Sequence, residues 1–303
     1  MATIAPLRTG TKYFQLYTTA KHLAWDPAAV DLSRDRPQWE TIRRDFARER
    51  YAEQILHLCS LFYAGEESVT QTLSPFLGAI ARAGLGVDKE LFLTAQLFEE
   101  AKHFELFARY FAEVFGEDGA SVAARYLSDA PRAVLVDDLD AVANRLRRED
   151  DPVALRALLV EGVVHYMGVV EAMLARTGYA GSAEALAARG WLPGLQEGFR
   201  LVRRDEGRHV AFGIRFVAEL TRDDPALRDT VHATFERHLP NVIGTVQSFA
   251  SYEYPLVDLD RLQQFALDAF GQFMTAAGLL DGGDAGDLQS ELRDVERVTP
   301  DAR

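Results

Sequence analysis

Only one cysteine, Cys59, occurs in 303 residues. An intramolecular disulfide is therefore impossible, and a thiolate metal cluster is excluded. Set among the apolar positions of 53–62, Cys59 reads as a small core residue. Positive charge is also short, because 33 Lys and Arg stand against 46 Asp and Glu for a formal charge of −13. A nucleic-acid surface needs clustered cations, and this balance argues against one. No uncharged apolar stretch approaches the roughly 18 residues of a membrane span. The segment from Met1 to Lys21 has no apolar core of the kind a secretory signal carries. A soluble protein of the reducing cytoplasm is the expectation. Strand-type alternation of Val, Ile and Thr is missing too, which leaves the helix as the organising period.

What is present suits a helical core: 48% of residues are hydrophobic and 26% charged, an ordinary globular balance. Pro6, Pro27 and Pro37 break any long periodicity in 1–36, which predicts an irregular N-terminal arm. From Gln38 onward, Phe46, Ile55, Leu58, Leu61 and Phe62 recur at helical steps between Arg43, Arg44, Arg48 and Glu49. This helix is expected to run past Glu66 until Pro75 bends or ends it. Gly84 and Gly86 mark a turn, and a second helix runs from Asp88, as N-cap, to Phe115 before Gly116. Residues 117–150 are more broken. Asp151 and Pro152 open a third helix that ends near Thr177 and Gly178. A fourth covers Pro193 to Leu220, and further helices cover 225–251 and 256–277. The last stretch, 281–303, reads as a mobile tail. The expected architecture is all-α, a four-helix bundle with additional helices in a single domain over 1–303.

Chemistry concentrates in two short segments. Glu99-Glu100-Ala101-Lys102-His103 and Asp205-Glu206-Gly207-Arg208-His209 share the form acid-Glu-x-base-His. Glu and His three apart on a helix lie about 60° apart around its axis, so both can face one interior. Glu66 precedes Glu100 by 34 residues and Glu171 precedes Glu206 by 35, so the unit occurs twice. One Glu from each of two helices and Glu-x-x-His from each of two others is the ligand set of dinuclear carboxylate bundles. Four carboxylates neutralise and can bridge two divalent ions, and two imidazoles favour iron or manganese over calcium. With seven histidines in the chain, one Glu-x-x-His arises by chance about half the time at ordinary Glu frequency. Two at matching distances from an upstream Glu are much rarer.

The bland alternative places both motifs on solvated faces. Against it stand the apolar neighbours Phe98, Leu106 and Phe107, and Val210, Phe212 and Ile214. Of the adjacent pair Glu66 and Glu67, Glu66 is preferred. Glu99 and Asp205 are either surface acids or the groups that orient the imidazoles. His165 follows Glu161 by four but breaks the repeat, so a packed or exposed histidine is expected there. His22, His57, His232 and His238 lack a partner pattern.

At these residues the sequence resembles the ferritin-like superfamily, and within it the R2-like ligand-binding oxidases, relatives of the ribonucleotide reductase small subunit. The resemblance spans roughly Asp26 to Phe270. It is carried by both metal motifs, by Ser33-Arg34-Asp35-Arg36, by Ala64-Gly65-Glu66-Glu67-Ser68-Val69-Thr70, and by Val169 to Leu174 with Thr177-Gly178-Tyr179. It implies a mixed manganese–iron centre that reacts with O2 in two-electron oxidation. Manganese would sit at Glu66, Glu100 and His103, and iron at Glu171, Glu206 and His209. Ligand type alone would favour iron(II) over manganese(II) at either set. The resemblance further implies a long-chain fatty acid at the metals, an ether cross-link between Val69 and Tyr166, and a homodimer. Ser68 departs from the usual Ala, and the loop around Gly84–Asp88 is one residue longer.

Two other readings share the motifs. A ribonucleotide reductase small subunit usually has its radical tyrosine four residues after the first histidine, where this chain has Phe107; the segment 281–303 also lacks a tyrosine. A di-iron acyl desaturase or oxygenase has the same ligand spacing. Iron storage would require a shorter, cage-forming bundle.

Overall fold

A computed structural model describes residues 7–45 and 48–280. The tail expected at 281–303, the helical position assigned to Phe46 and the first six residues lie outside that set. Among the described residues the regular structure is helical, without strands. The helices are α1 (Lys12–His22), α2 (Asp35–Arg44), α3 (Glu49–Thr72), α4 (Ser74–Arg82) and α5 (Val87–Tyr110). They are followed by α6 (Gly119–Tyr126), α7 (Asp129–Arg132), α8 (Asp138–Arg148) and α9 (Pro152–Val163). A π-helical run, Val164–Ala175, continues α9 into α10 (Arg176–Ala187). Then come α11 (Pro193–Asp223), α12 (Leu227–Gln247) and α13 (Leu259–Ala276).

Several expectations need correction. The N-terminal arm is not irregular throughout, because Thr11 caps α1 by accepting from the Phe14 N–H at 3.1 Å. Pro37 sits in the first turn of α2, where a missing N–H costs nothing. α3 ends at Thr72, just before Pro75 as expected, and Pro75 occupies the first turn of a new helix, α4. The stretch 117–150 is mostly helical, with Asp118 capping α6 at Ser121. Gly86, with φ of 112°, precedes the second bundle helix, and Asp88 is buried inside its first turn. Asp151 caps α9 as expected, accepting from Val153 and Ala154. That helix does not stop near Gly178 but runs on to Ala187. By length and composition Pro152–Ala187 could cross a membrane, yet 72% of its most apolar window is buried inside the protein.

The central bundle consists of α3, α5, the α9–π–α10 helix and α11. α3 packs on α5, and α11 packs on α5, on the π run and on α10. Buried apolar side chains form two clusters along it. One contains Val69, Phe92, Tyr166 and Phe212, and the other Phe62, Leu106, Tyr179 and Phe199. On α3, α5 and α11 the acidic and histidine positions fall between members of the two clusters, so the polar layer lies at their junction. Asp35 fixes one end. Its carboxylate accepts from the Gly194 and Leu195 N–H groups and from the Tyr110 hydroxyl, each at 2.8 Å. Those N–H groups belong to the first turn of α11 and would otherwise be unpaired. Gly194 is required there, since a Cβ would come within 2.6 Å of the Asp31 carbonyl oxygen. Replacing Asp35 by alanine orphans three buried donors. A loss of at least about 3 kcal/mol is expected, from a penalty of roughly 1 kcal/mol or more for each unpaired group, read as a lowered midpoint in urea.

Candidate metal centre

Glu66 comes from α3, Glu100 and His103 from α5, Glu171 from the π run, and Glu206 and His209 from α11. All six are buried. Their ligand atoms form two quartets, each within 4.8 Å: Glu66, Glu100, His103 and Glu206, and then Glu100, Glu171, Glu206 and His209. The structure thus brings together all six residues expected from the repeat, and it shares Glu100 and Glu206 between the halves. His103 Nδ1 faces Glu66 at 3.4 Å, Glu100 at 3.5 Å and Glu206 at 3.4 Å. His209 Nδ1 faces Glu100 at 3.0 Å, Glu171 at 3.2 Å and Glu206 at 3.6 Å. Glu67 lies on the outer side, accepting from Gln71 at 3.2 Å.

Buried polar atoms in the interior of this cluster lack hydrogen bonds: His103 Nδ1, Glu171 Oε2 and Glu206 Oε2. Such atoms are costly to bury alone, and a cation satisfies several at once. Four carboxylates and two inward imidazole nitrogens in two overlapping quartets fit a pair of divalent ions.

The outer imidazole nitrogens are held by the two acids left open by the sequence. His103 Nε2 lies 3.3 Å from Asp205 Oδ2, and His209 Nε2 lies 2.9 Å from Glu99 Oε2. Each acid therefore orients the histidine of the opposite motif, favouring a proton on Nε2 and turning Nδ1 inward, where it would offer its lone pair to a cation that displaces its proton. Arg208, fully buried, donates to both Glu99 and Asp205. Lys102 donates to Asp205 at 3.2 Å, as does the Trp25 indole at 2.7 Å. The base in each acid-Glu-x-base-His segment thus belongs to this buried network. Its repetition was the available signal for Lys102 and Arg208.

Protons hold the metal-free cluster together. Burial alone would lower both histidines, but Glu66 beside His103, and Glu100 and Glu171 beside His209, raise them well above the ordinary imidazole range. Burial raises Glu66 to about 7 against the opposing pull of His103. Burial, and then Glu206, also raise Glu171. Burial likewise opposes ionisation of Glu100, but His209 and His103 outweigh it and lower that carboxyl. Cation binding must displace the imidazole protons. Calorimetry of manganese binding at pH 7 in buffers of different ionisation enthalpy should show release of about two protons or more. Affinity should fall as pH drops below 7. The sign for stability follows from the raised histidines: their contribution is complete below the unfolded value near 6.5 and is lost as pH rises through the higher folded values. The metal-free protein should therefore lose stability on the alkaline side of 6.5.

Val69 and Tyr166 line the same apolar cavity, which the carboxylates Glu66, Glu100, Glu171 and Glu206 also face. The Tyr166 hydroxyl is buried without a hydrogen-bond partner of good geometry. Burial, and then the charges of Glu100 and Glu171, raise its pKa and keep the phenol neutral. In a π-helix the bonding runs five residues back, which brings Tyr166 and Glu171, five apart, toward one face. Among residues without an assigned role in the sequence, Tyr179 donates to Glu66 at 3.0 Å, and Gln96 donates to Glu171 at 3.2 Å. Tyr179 lay in a segment that carried the family resemblance; Gln96 had no signal beyond lying one turn before Glu100. Phe98 corrects the apolar-flank argument, for it is 60% exposed, while Leu106 and Phe107 are buried. His165 is packed, lying 2.9 Å from the Val134 carbonyl oxygen and stacked on His238 at 3.8 Å between ring centres.

Comparison with known proteins agrees with this geometry. The family model "Ribonucleotide reductase, small chain" matches residues 9–274. Among solved structures, a glycine-to-leucine variant of R2-like ligand-binding oxidase, with anaerobically reconstituted Mn/Fe cofactor, superposes with TM-score 0.82. It has 27% identity, over 91% of this chain and 96% of that one. A tyrosine-to-phenylalanine variant with aerobically reconstituted Mn/Fe cofactor superposes at 0.80 with 27% identity, over 88% and 94% of the two chains. A valine-to-leucine variant, likewise aerobically reconstituted, gives the same figures. With the family model covering most of its length and the helical fold shared with these oxidases, this chain belongs to the ribonucleotide reductase small-chain family.

Proposed function

We propose that the protein is an O2-dependent oxidase that holds one manganese and one iron ion in this cluster and a long-chain fatty acid in the adjoining cavity. The observation that carries the reading is the continuity of the two quartets with an apolar cavity onto which Val69 and Tyr166 both open. Manganese would be held by Glu66, Glu100 and His103 and iron by Glu171, Glu206 and His209, and Glu100 and Glu206 belong to both quartets. Bound there, two redox-active ions supply electrons for the reduction of oxygen. The protein's own groups do the rest. Glu99 and Asp205 orient the imidazoles, and the apolar walls of Leu58, Leu61 and Val170 exclude water and accept an alkyl chain.

An ether between Val69 and Tyr166 removes one hydrogen from the valine side chain and the phenolic hydrogen of the tyrosine. That is a two-electron oxidation, for which O2 is the acceptor. Nearby carboxylates Glu100, Glu171 and Glu206 can receive the phenolic proton. In the related oxidase the varied glycine lies four residues before the varied valine, as Gly65 lies before Val69 here. Tyr166→Phe tests the reading: after aerobic assembly the wild-type Val69 and Tyr166 peptides should co-migrate as one species two hydrogens lighter. In the variant they should separate while metal content is unchanged. Uncoupled peptides in the assembled wild type would overturn the cross-link.

Phe107, at the radical-tyrosine position, is fully buried and stacks with Phe62 at 5.4 Å between ring centres. It offers no phenol for a stored radical, which favours oxidase chemistry over a reductase small subunit. The homodimer and cytoplasmic location belong to the same proposal. The buried single cysteine suits a reducing compartment, and sedimentation measures the dimer.

A further inference from the structure

Many threonines inside these helices share one hydrogen bond that Thr177 does not make. Thr18, Thr72, Thr94, Thr221, Thr234 and Thr245 each donate the hydroxyl to the carbonyl oxygen four residues back, at 2.7–2.9 Å. The Thr177 hydroxyl is buried and has no partner. Thr70 also lacks one, but it does not line the apolar cavity, whereas Thr177 does. The exception has a local cause. Thr177 is the second residue after the π run, where the Arg176 N–H still bonds five residues back to Glu171. At such a register change the carbonyl normally used by a helical threonine is displaced.

The other polar groups of the cavity wall away from the carboxylate cluster are satisfied. Gln54 donates to Arg50 and Tyr254 and accepts from Leu256, and Thr245 donates to Asn241. An unpartnered hydroxyl in an apolar wall is expensive unless something in the cavity completes it. We propose that Thr177 is a specificity-determining residue that hydrogen-bonds an oxygen substituent, a hydroxyl or carbonyl, midway along the alkyl chain of the cavity's acid ligand. The ligand class is then an oxygenated long-chain acid rather than a plain saturated one. This rests on the proposed fatty-acid site with its carboxylate at the metals. Thr177 lies six residues beyond Glu171 on the same helix, roughly 9 Å along its axis or somewhat less through the π turn. The oxygen it meets is therefore in mid-chain, well away from the carboxylate.

The test is displacement of a fluorescent long-chain acid from the metal-loaded, full-length protein by hexadecanoate and by its positional hydroxy isomers. Wild type should bind one or more mid-chain isomers roughly threefold to tenfold more tightly than hexadecanoate. The isomer hydroxylated next to the carboxylate should show no such gain. Thr177→Val, equal in shape, should erase the preference without weakening hexadecanoate, and Thr177→Ser should keep it. If hexadecanoate binds wild type as well as every isomer, or if Thr177→Val leaves the preference intact, the role of Thr177 is overturned while the acyl site stands. If no long-chain acid displaces the probe or binds, the fatty-acid reading itself fails and this inference fails with it.

Discussion

Glu206→Ala is expected to remove both metals, leaving less than one ion per chain after reconstitution and abolishing oxygen consumption. Glu206 contributes to both quartets, with one oxygen 3.4 Å from His103 Nδ1 and the other 3.6 Å from His209 Nδ1. Losing a shared carboxylate removes a ligand and a neutralising charge from each ion at once. Glu66→Ala is the informative contrast. Glu66 belongs to the first quartet alone, so that variant should keep about one ion per chain at the second site. The metal-free fold should tolerate Glu206→Ala well, because the change relieves a crowd of buried acids. Its thermal midpoint without metal should be equal to or above that of wild type. Metal content by elemental analysis, read beside thermal melts, separates loss of a ligand from loss of the fold. Two ions retained in Glu206→Ala would show that another group bridges them.

Arg208→Met should be the most destabilising change in the surrounding network. Arg208 is fully buried and is the cation between Glu99 and Asp205, which are themselves buried. Methionine matches much of its volume but leaves two acids short of a partner. Breaking a buried pair in this way costs about 3–5 kcal/mol. In a chain of this size that corresponds to a fall in Tm of roughly 5–15 °C. Because Glu99 and Asp205 hold the outer nitrogens of His209 and His103, affinity for both ions should fall as well, by roughly 10–100-fold. Arg208→Lys keeps a charge without the forked geometry, so it should recover only part of the stability. A melt of Arg208→Met within a degree or two of wild type would contradict this account.

The six inward residues were legible because a helix imposes a period. Glu-x-x-His on one face, repeated with an upstream Glu at nearly equal distance, has few other uses. Packing direction was less legible. Phe98 sits next to Glu99 in an apolar-looking segment, yet it points outward, because a helix turns about 100° per residue and its neighbours claim the inner face. The start of α2 was concealed because Pro37 in a first turn looks the same in sequence as a breaker. The π run was invisible for another reason: from Val163 to Met173 nearly every position is buried, so no polar face reports the period. Trp25 shows the remaining limit. It donates to Asp205 across a separation of 180 residues, and no local pattern encodes such a contact.

The most direct test of the central claim is the manganese and iron content per chain after aerobic assembly of metal-free protein with both divalent ions supplied equally. The two overlapping quartets, read with the Mn/Fe cofactor of the similar oxidases, predict about one manganese and one iron per chain. Two irons and no manganese would contradict the mixed-metal assignment and shift the reading to a di-iron oxygenase or desaturase. A chain that binds neither metal would contradict the metal centre itself.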